Sequence, residues 1–370
     1  MRVLLSGGGT AGHVNPALAI AQTIQRNSPS SEFAYVTTKK GIEKRLVPYK
    51  QYEINVTGLK RSFSFSNLKT IFLTFNAISE CKKIIKDFNP DIIVGTGGYA
   101  CYPVIYAGKS LGVKTVLHES NALPGKAIRM LEDKVDKIFL NFKEAEKYFK
   151  NKDKLVYSGN PIREGFGTLN KDEARRRLGI KEKYVVLCYG GSLGATAINE
   201  GAIQVIENLI KDDKEIRFVW ASGKREYKEM YYLLRDKGLE KLKNLDFNEY
   251  IYDMPEKIAS ADVVICRAGA MSISEMAFSG KCAIFIPSPN VVDNHQYKNA
   301  YALSSASAGI LMAESEIYNL TDTVKELLED DAKRQSYSKR IRTFSVKESN
   351  KIIYEEIRKL VKDSKSPRKN

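Results

Sequence analysis

The sequence predicts an α/β protein made of two doubly wound, Rossmann-like halves facing across a cleft. Short, continuous apolar runs recur along the 370 residues with helical patterns between them, as expected of parallel strands covered on both faces. Glycine-rich loops follow two of these runs in the same strand–loop–helix order, one at the start of the chain and one near residue 190. The length also suits two domains of roughly 150 residues each.

Taken in order, Val3–Leu5 reads as a buried strand that enters a glycine loop. A helix is expected from Pro16 to about Arg26, with Asn15 as N-cap and proline at the first helical position. Further strands are expected at Phe33–Thr37, Asp91–Gly95, Lys114–His118, Val135–Leu140 and Leu155–Tyr157. Gly159-Asn160-Pro161 interrupts the pattern, and a basic stretch with Lys171, Arg175, Arg176 and Arg177 follows. Alternation resumes with strands at Lys183–Tyr189, Arg217–Ala221, Asp262–Cys266 and Cys282–Pro287. Asn350–Val361 reads as an amphipathic helix before a polar, basic tail, Lys362–Asn370. The expected domains are 1–161 and 162–344, followed by a C-terminal helical segment at about 345–370.

Hydrophobic residues make up 43% and charged residues 28% of the chain, which excludes a disordered or fibrous protein. The net charge of +15 favours anionic partners such as phosphorylated substrates, nucleic acid or an anionic membrane. Five scattered cysteines without a CxxC pair argue against a disulfide framework or a zinc site. Neither a signal peptide nor an apolar run of roughly 18 residues is read, so a cytoplasmic protein is expected.

Gly7, Gly9 and Gly12 fit GxGxxG between strand and helix, a pattern that lets backbone approach a diphosphate. A dinucleotide enzyme is therefore one reading, and two features count against it. The next strand ends in Thr37-Thr38-Lys39-Lys40 rather than in an acid for a ribose, which suits only a 2′-phosphate as in NADP, and His13 follows the loop directly. The second loop, Gly190-Gly191-Ser192-Leu193-Gly194, offers amides and a hydroxyl at another helix start. Arg267-Ala268-Gly269-Ala270-Met271-Ser272-Ile273-Ser274-Glu275 follows a later strand, and its small residues permit close approach of a ligand. There Glu275 is either a ribose acceptor or a solvated helix-start acid. Asp293-Asn294-His295-Gln296 and His118-Glu119-Ser120-Asn121 lie in two more strand-end loops, where ligands of open α/β sheets bind. All three histidines of the chain fall in such loops. No HExxH, nucleophile elbow or Walker loop is present, so no metal is implied. Basic residues and helix N-termini would then stabilise a leaving phosphate, and Arg163 is a candidate.

As an ordered set, these segments resemble the MurG family, the UDP-N-acetylglucosamine–N-acetylmuramyl-(pentapeptide) pyrophosphoryl-undecaprenol N-acetylglucosamine transferases of glycosyltransferase family 28. The carriers are GGGTAGHVNPALAIA, GTGGYACYP, HESNALPGKA, GNPIR, GGSLGATAIN, RAGAMSISEMAFSGKCAIFIPSP and DNHQYKNA, which run in that order along nearly the whole chain. The resemblance implies a GT-B fold, with the donor UDP-GlcNAc held mainly by the C-terminal half. The acceptor lipid I, undecaprenyl-pyrophosphoryl-MurNAc-pentapeptide, would be held mainly by the N-terminal half, with the last helix packing back on it.

By matching position, the resemblance implies that Ser192 and Arg163 face the donor diphosphate and Ile251 the uracil. Glu275 would hold the ribose, with Ala270, Met271, Ser272, Ile273 and Ser274 lining the nucleotide. Asn121 and Gln296 would bind the GlcNAc hydroxyls, and Thr10, Ala11 and Gly12 would lie near the sugar and the acceptor pyrophosphate. Gly9, Gly97, Gly98, Tyr99 and His118 would belong to the acceptor and diphosphate loops. A membrane-facing patch is implied at Lys60, Arg61, Phe63, Phe65, Leu68, Lys69, Phe72 and Phe75. Ala11, Ser120, Leu193 and His295 stand where many members carry glycine or, at the last three, commonly glutamine.

The expected reaction is inverting, metal-independent transfer of GlcNAc to the C4 hydroxyl of MurNAc, giving lipid II for peptidoglycan. It would take place at the cytoplasmic side of the inner membrane, by a peripheral enzyme without a cofactor. Beyond its substrates, the expected partners are an anionic membrane surface and cell-wall synthesis proteins, and not nucleic acid. His13 is the candidate base, since an imidazole titrates near neutrality, and His118 is the second candidate. A different GT-B lipid glycosyltransferase, a UDP-sugar epimerase and an NADP-dependent oxidoreductase are the alternatives.

Overall fold

The structure, a computed structural model, describes residues 1–39, 43–57, 65–291 and 294–365, without the side chains of residues 11, 45, 65–72 and 365. In chain order the elements are β1 (Arg2–Ser6), α1 (Ala11–Asn27), β2 (Glu32–Thr38), α2 (Glu43–Leu46), β3 (Lys50–Ile54), α3 (Phe65–Phe88), β4 (Ile92–Gly95), α4 (Cys101–Ser110), β5 (Lys114–Glu119), α5 (Lys126–Met130), β6 (Lys137–Leu140) and β7 (Leu155–Tyr157). They continue as α6 (Lys171–Arg177), β8 (Tyr184–Tyr189), α7 (Thr196–Val205), β9 (Ile216–Ala221), α8 (Tyr227–Asp236), β10 (Leu245–Asn248), α9 (Met254–Ser260), β11 (Val263–Cys266), α10 (Ala270–Ser279), β12 (Cys282–Phe285), α11 (His295–Ser305), β13 (Ile310–Leu311), α12 (Leu320–Glu329), α13 (Asp331–Ile341) and α14 (Ser349–Lys365). The chain divides into one unit of Met1–Glu164 with Val346–Asn370 and another of Gly165–Ser345.

The first unit holds a seven-stranded parallel sheet of order β3-β2-β1-β4-β5-β6-β7. Side chains of a strand alternate between its faces, and the core divides accordingly. Leu4, Val36, Ile93 and Leu117 pack with Cys81 and Ile85 of α3 and Val104 and Ile105 of α4. Val3, Leu5, Val94 and Val116 pack on the other face with Ala17, Ile20 and Ile24 of α1. Ile353, Ile357 and Val361, spaced four residues apart along α14, complete that second layer. The chain thus returns at its end to cover the sheet on which it began. Asn350 fixes the return, since its Oδ1 accepts the Ile162 N–H at 2.8 Å and its Nδ2 donates to the Ile162 carbonyl at 2.8 Å.

The second unit repeats the plan with six parallel strands in the order β10-β9-β8-β11-β12-β13. Val186, Phe218, Trp220, Val263, Ile265 and Ile284 form one face of its core, against Ile198, Ala202 and Val205 of α7 and Leu320, Val324 and Leu327 of α12.

Two sequence expectations need correction. The first helix begins at Ala11 with Thr10 as N-cap, so Asn15 does not cap it and Pro16 lies inside. Proline is tolerated there because the carbonyl that loses its i+4 donor belongs to Gly12, which is exposed. The last helix continues through Lys362 to Lys365 rather than ending at Val361. Among the described residues, no helix is long and apolar enough to cross a membrane.

Candidate active site

In both sheets the strand order reverses beside the first strand, between β1 and β4 and between β8 and β11. In open α/β sheets, ligands usually bind at the strand ends beside such a reversal. Both glycine loops sit at these reversals.

In the first unit the loop closes on itself. The Gly8 N–H donates to the Gly97 carbonyl at 3.3 Å and the Gly9 N–H to Glu43 Oε2 at 3.4 Å. A side chain at Gly98 (φ 78°) would put its Cβ 2.2 Å from the Gly8 oxygen, so the loops after β1 and β4 pack backbone to backbone. Tyr99 lies against Gly9, where a Cβ would come 3.2 Å from its ring. Thr96 Oγ1 donates to the His13 carbonyl at 2.6 Å and Tyr35 donates its hydroxyl to the Gly7 carbonyl at 2.5 Å. His13, half-buried in the first turn of α1, lies with Nδ1 3.0 Å from the Gly8 oxygen and 3.3 Å from Thr10 Oγ1. Its ring rests on Gly97, where a Cβ would come 2.9 Å from Cδ2. Thr10 and Gly12 are exposed at the helix start, and the Ala11 side chain lies outside the described residues. Two loop amides that a dinucleotide diphosphate would use are therefore engaged internally. An acid does stand after β2, but Glu43 turns inward to Thr38 and Gly9 rather than outward to a ribose.

His118 is fully buried at the end of β5, with Nε2 3.2 Å from the Gly159 oxygen and Nδ1 3.4 Å from Ser120 Oγ. Burial pushes its pKa down to about 4, although the Gly159 contact opposes this. It is thus neutral near pH 7 and ties β5 to the turn after β7. An unfolded imidazole titrates near 6.5, so below that pH the unfolded chain takes up a proton that the folded chain refuses until about pH 4. Stability should therefore fall by about 3 kcal/mol as pH drops across that window, and be unaffected by this group above it. His118→Gln, with an amide that can still donate to Gly159, should flatten this fall in urea titrations run at successive pH values.

The next residue, Glu119, supports the Asn121 loop. Its carboxylate accepts the N–H groups of Asn121 and Gly125, each at 2.8 Å, and the Asn121 amide at 3.1 Å. Burial raises its pKa, and these donors oppose the rise. Arg163, half-buried, follows the Ile162 anchor and precedes Glu164, which pairs with Arg26.

In the second unit, Ser192 and Leu193 are exposed at the tip of the loop after β8. The loop is seated against a second turn: the N–H groups of Lys224 and Arg225 donate to the Ser192 and Leu193 carbonyls at 3.2 and 3.4 Å. Gly194 (φ 89°) meets the Ser222 carbonyl so closely that a Cβ would fall 2.2 Å from its oxygen. Beneath lies a buried polar cluster. Asn199 donates to the Ser222 carbonyl and to Glu226, both at 2.9 Å, and accepts from Trp220 Nε1 at 3.1 Å. Burial would raise the Glu226 pKa, but bonds from Arg225, Asn199 and Thr196 hold it below its ordinary range.

Across the strand reversal, Gly269 caps α10, whose buried residues include Ala270, Met271, Ile273, Ser274 and Glu275, with Ser272 half-buried. Glu275 is 4% exposed, so the solvated-acid reading does not hold. It stands near Tyr189, whose phenol is pushed well above its ordinary range by burial first, then by Cys266 and Glu275. Arg267 anchors the loop to the Ile286 carbonyl at 3.1 Å and to Glu314 at 2.5 Å. Gln296, at the start of α11, accepts the Ser288 N–H at 2.9 Å. Ile251 is buried between exposed Tyr250 and Tyr252 in the loop after β10.

Sequence reading missed Glu43, Tyr35, Lys224 and Arg225. Their place depends on how separate loops meet, which no local pattern reports. Of the implied membrane patch, Lys60, Arg61 and Phe63 lie outside the described residues, as do the side chains of Phe65, Leu68, Lys69 and Phe72. Phe75 on α3 is 68% exposed.

Residues 3–140 match the glycosyltransferase family 28 N-terminal domain and residues 185–353 its C-terminal domain. A curated transferase of Acetivibrio thermocellus, named UDP-N-acetylglucosamine–N-acetylmuramyl-(pentapeptide) pyrophosphoryl-undecaprenol N-acetylglucosamine transferase, is 39% identical over 98% of this chain and 99% of its own length. The chain belongs to the MurG family of glycosyltransferases. A relative of the same name from Bacillus licheniformis is 36% identical over 97% of this chain and 99% of its own. The crystal structure of MurG from Acinetobacter baumannii aligns with a TM-score of 0.73 at 24% identity, covering 97% of this chain and 99% of that one. The two-domain α/β architecture is thus the GT-B fold of MurG. A UDP-GlcNAc 2-epimerase from Neisseria meningitidis shares the fold, with a TM-score of 0.67 at 14% identity over 97% of this chain and 100% of that one.

Proposed function

We propose that the protein transfers N-acetylglucosamine from UDP-GlcNAc to the C4 hydroxyl of the MurNAc of lipid I, with inversion, giving lipid II. The curated relatives' names supply the two substrates. The observation that carries the mechanism is the difference between the two strand reversals. The loop of the second unit is held through its Ser192 and Leu193 carbonyls and leaves Ser192 exposed ahead of the N-terminus of α7, as suits a diphosphate. The loop of the first unit has its Gly8 and Gly9 amides bonded inward and presents a histidine.

In this reading Ser192 and Arg163 face the donor diphosphate, Ile251 the uracil and Glu275 the ribose. Asn121 and Gln296 hold the sugar, with Thr10–Gly12 and the Gly97–Tyr99 loop around the acceptor. The acceptor oxygen attacks the anomeric carbon and forms the β-1,4 bond while the bond from that carbon to the phosphate oxygen breaks. Nε2 of His13 takes the hydroxyl proton, and UDP leaves with the bonding pair. Amides, Ser192 and cationic side chains stabilise the leaving diphosphate, so no metal enters the step. Exposed Phe75 and the net charge of +15 support a peripheral position on the anionic cytoplasmic face of the inner membrane.

Calorimetric titration with UDP and with NADPH separates this reading from the oxidoreductase. The expected result is saturable UDP binding, unchanged by EDTA, and none of NADPH. NADPH binding without UDP binding would contradict the donor site.

A further inference from the structure

Glu43 holds the histidine loop from beneath. It opens α2 and is fully buried. Its Oε1 accepts the Thr38 N–H at 3.0 Å and the Thr38 hydroxyl at 2.7 Å, while Oε2 accepts the Gly9 N–H at 3.4 Å. It also lies against Gly8, where a Cβ would come 3.0 Å from Oε1. Burying a carboxylate is costly unless it is hydrogen-bonded, and one of its donors belongs to the catalytic loop.

No cis peptide occurs among the described residues. A trans peptide is planar and points its N–H and C=O in opposite directions. In the Gly8–Gly9 unit the N–H is aimed at Glu43, so the carbonyl is aimed away from it, and 3.0 Å beyond lies His13 Nδ1. A carbonyl oxygen only accepts. This contact therefore puts a proton on Nδ1, and in the neutral imidazole the lone pair is then on Nε2. Thr10 Oγ1, 3.3 Å from the same nitrogen, can donate or accept and does not decide the matter. Tyr35 steadies the preceding peptide through the Gly7 carbonyl.

We infer that Glu43 is a positioning residue that sets the tautomer of His13 through the Gly8–Gly9 peptide, an inference that rests on His13 being the base. The carboxylate fixes the peptide plane, and the peptide holds the imidazole with Nε2 as its basic nitrogen.

With only three histidines in the chain, nitrogen-15 NMR of the full-length, histidine-labelled protein reads the tautomer directly, with His13→Asn assigning the signal. In the wild type, His13 should show a protonated Nδ1 and an unprotonated Nε2. In Glu43→Ala and Glu43→Gln the pattern should move toward protonated Nε2. With it, kcat should fall by roughly tenfold or more while KM for UDP-GlcNAc stays within about twofold. Should Glu43→Ala fail to fold, Glu43→Gln, of the same shape, carries the test. A wild-type His13 protonated on Nε2, an unchanged tautomer in the folded variants, or a folded variant with kcat within about twofold of wild type would overturn the assignment. If the wild type does not turn over a lipid I analogue, the proposed reaction fails, while the imidazole signals still report on Glu43.

Discussion

His13→Ala is expected to lower kcat by roughly 10²–10⁴-fold, the usual range for loss of a general base, with KM for the donor little changed. The size follows from the chemistry: without a base, the acceptor hydroxyl must lose its proton to water while it attacks. The fold should survive, because His13 is half-buried and its main-chain bond from Thr96 does not depend on the side chain. Circular dichroism and a thermal melt check the fold, and steady-state kinetics with saturating donor check the rate. A folded His13→Ala enzyme with near-normal kcat would remove the base from His13. His118, which protonates only near pH 4 and is sealed from solvent, would not be its natural replacement.

Gly194→Ala carries the second large effect, and it acts on the donor. Gly194 has φ of 89°, and its Cβ would fall 2.2 Å from the Ser222 oxygen. An L-residue at such a dihedral is strained by roughly 1–2 kcal/mol, and the clash with backbone adds to it. The Gly190–Gly194 loop must lift away from Ser222, carrying Ser192 with it. KM for UDP-GlcNAc should rise by roughly tenfold or more, since about 1.4 kcal/mol is a factor of ten. Gly191→Ala supplies the comparison. Its φ is 100°, but an added Cβ meets nothing within 4 Å, so only the strain acts and the rise should be smaller. Equal effects at the two positions would show that contact with Ser222 is not what places the loop.

The central strands were legible in the sequence because they are buried on both faces and so read as unbroken apolar runs. The strands that escaped notice, β3, β10 and β13, all lie at sheet edges. Lys50-Gln51-Tyr52-Glu53-Ile54 and Leu245-Asp246-Phe247-Asn248 carry polar residues because an edge strand is only partly covered. Pro16 misplaced the first helix start, because the rule that puts proline at the first turn was stronger on paper than the Thr10 cap. Within the site, residues on the loops themselves could be named from the sequence. Glu43 and the Asn199–Glu226 cluster could not, since what matters is which backbone groups from distant loops they reach. Burial also separated two histidines that look alike in sequence: both stand where a strand end was expected to open into a loop, but His118 is sealed in β5 beneath Gly159 while His13 is half-buried in the first turn of α1.

The most direct test of the proposed transfer is UDP release from UDP-GlcNAc with and without a lipid I analogue, with the lipid product analysed for its glycosidic linkage. Release that depends on the acceptor, with a β-1,4-linked GlcNAc–MurNAc disaccharide on the lipid, is the expected result. Donor binding without transfer to lipid I, or conversion of the donor to its 2-epimer, would contradict it and leave the fold serving another member of its repertoire.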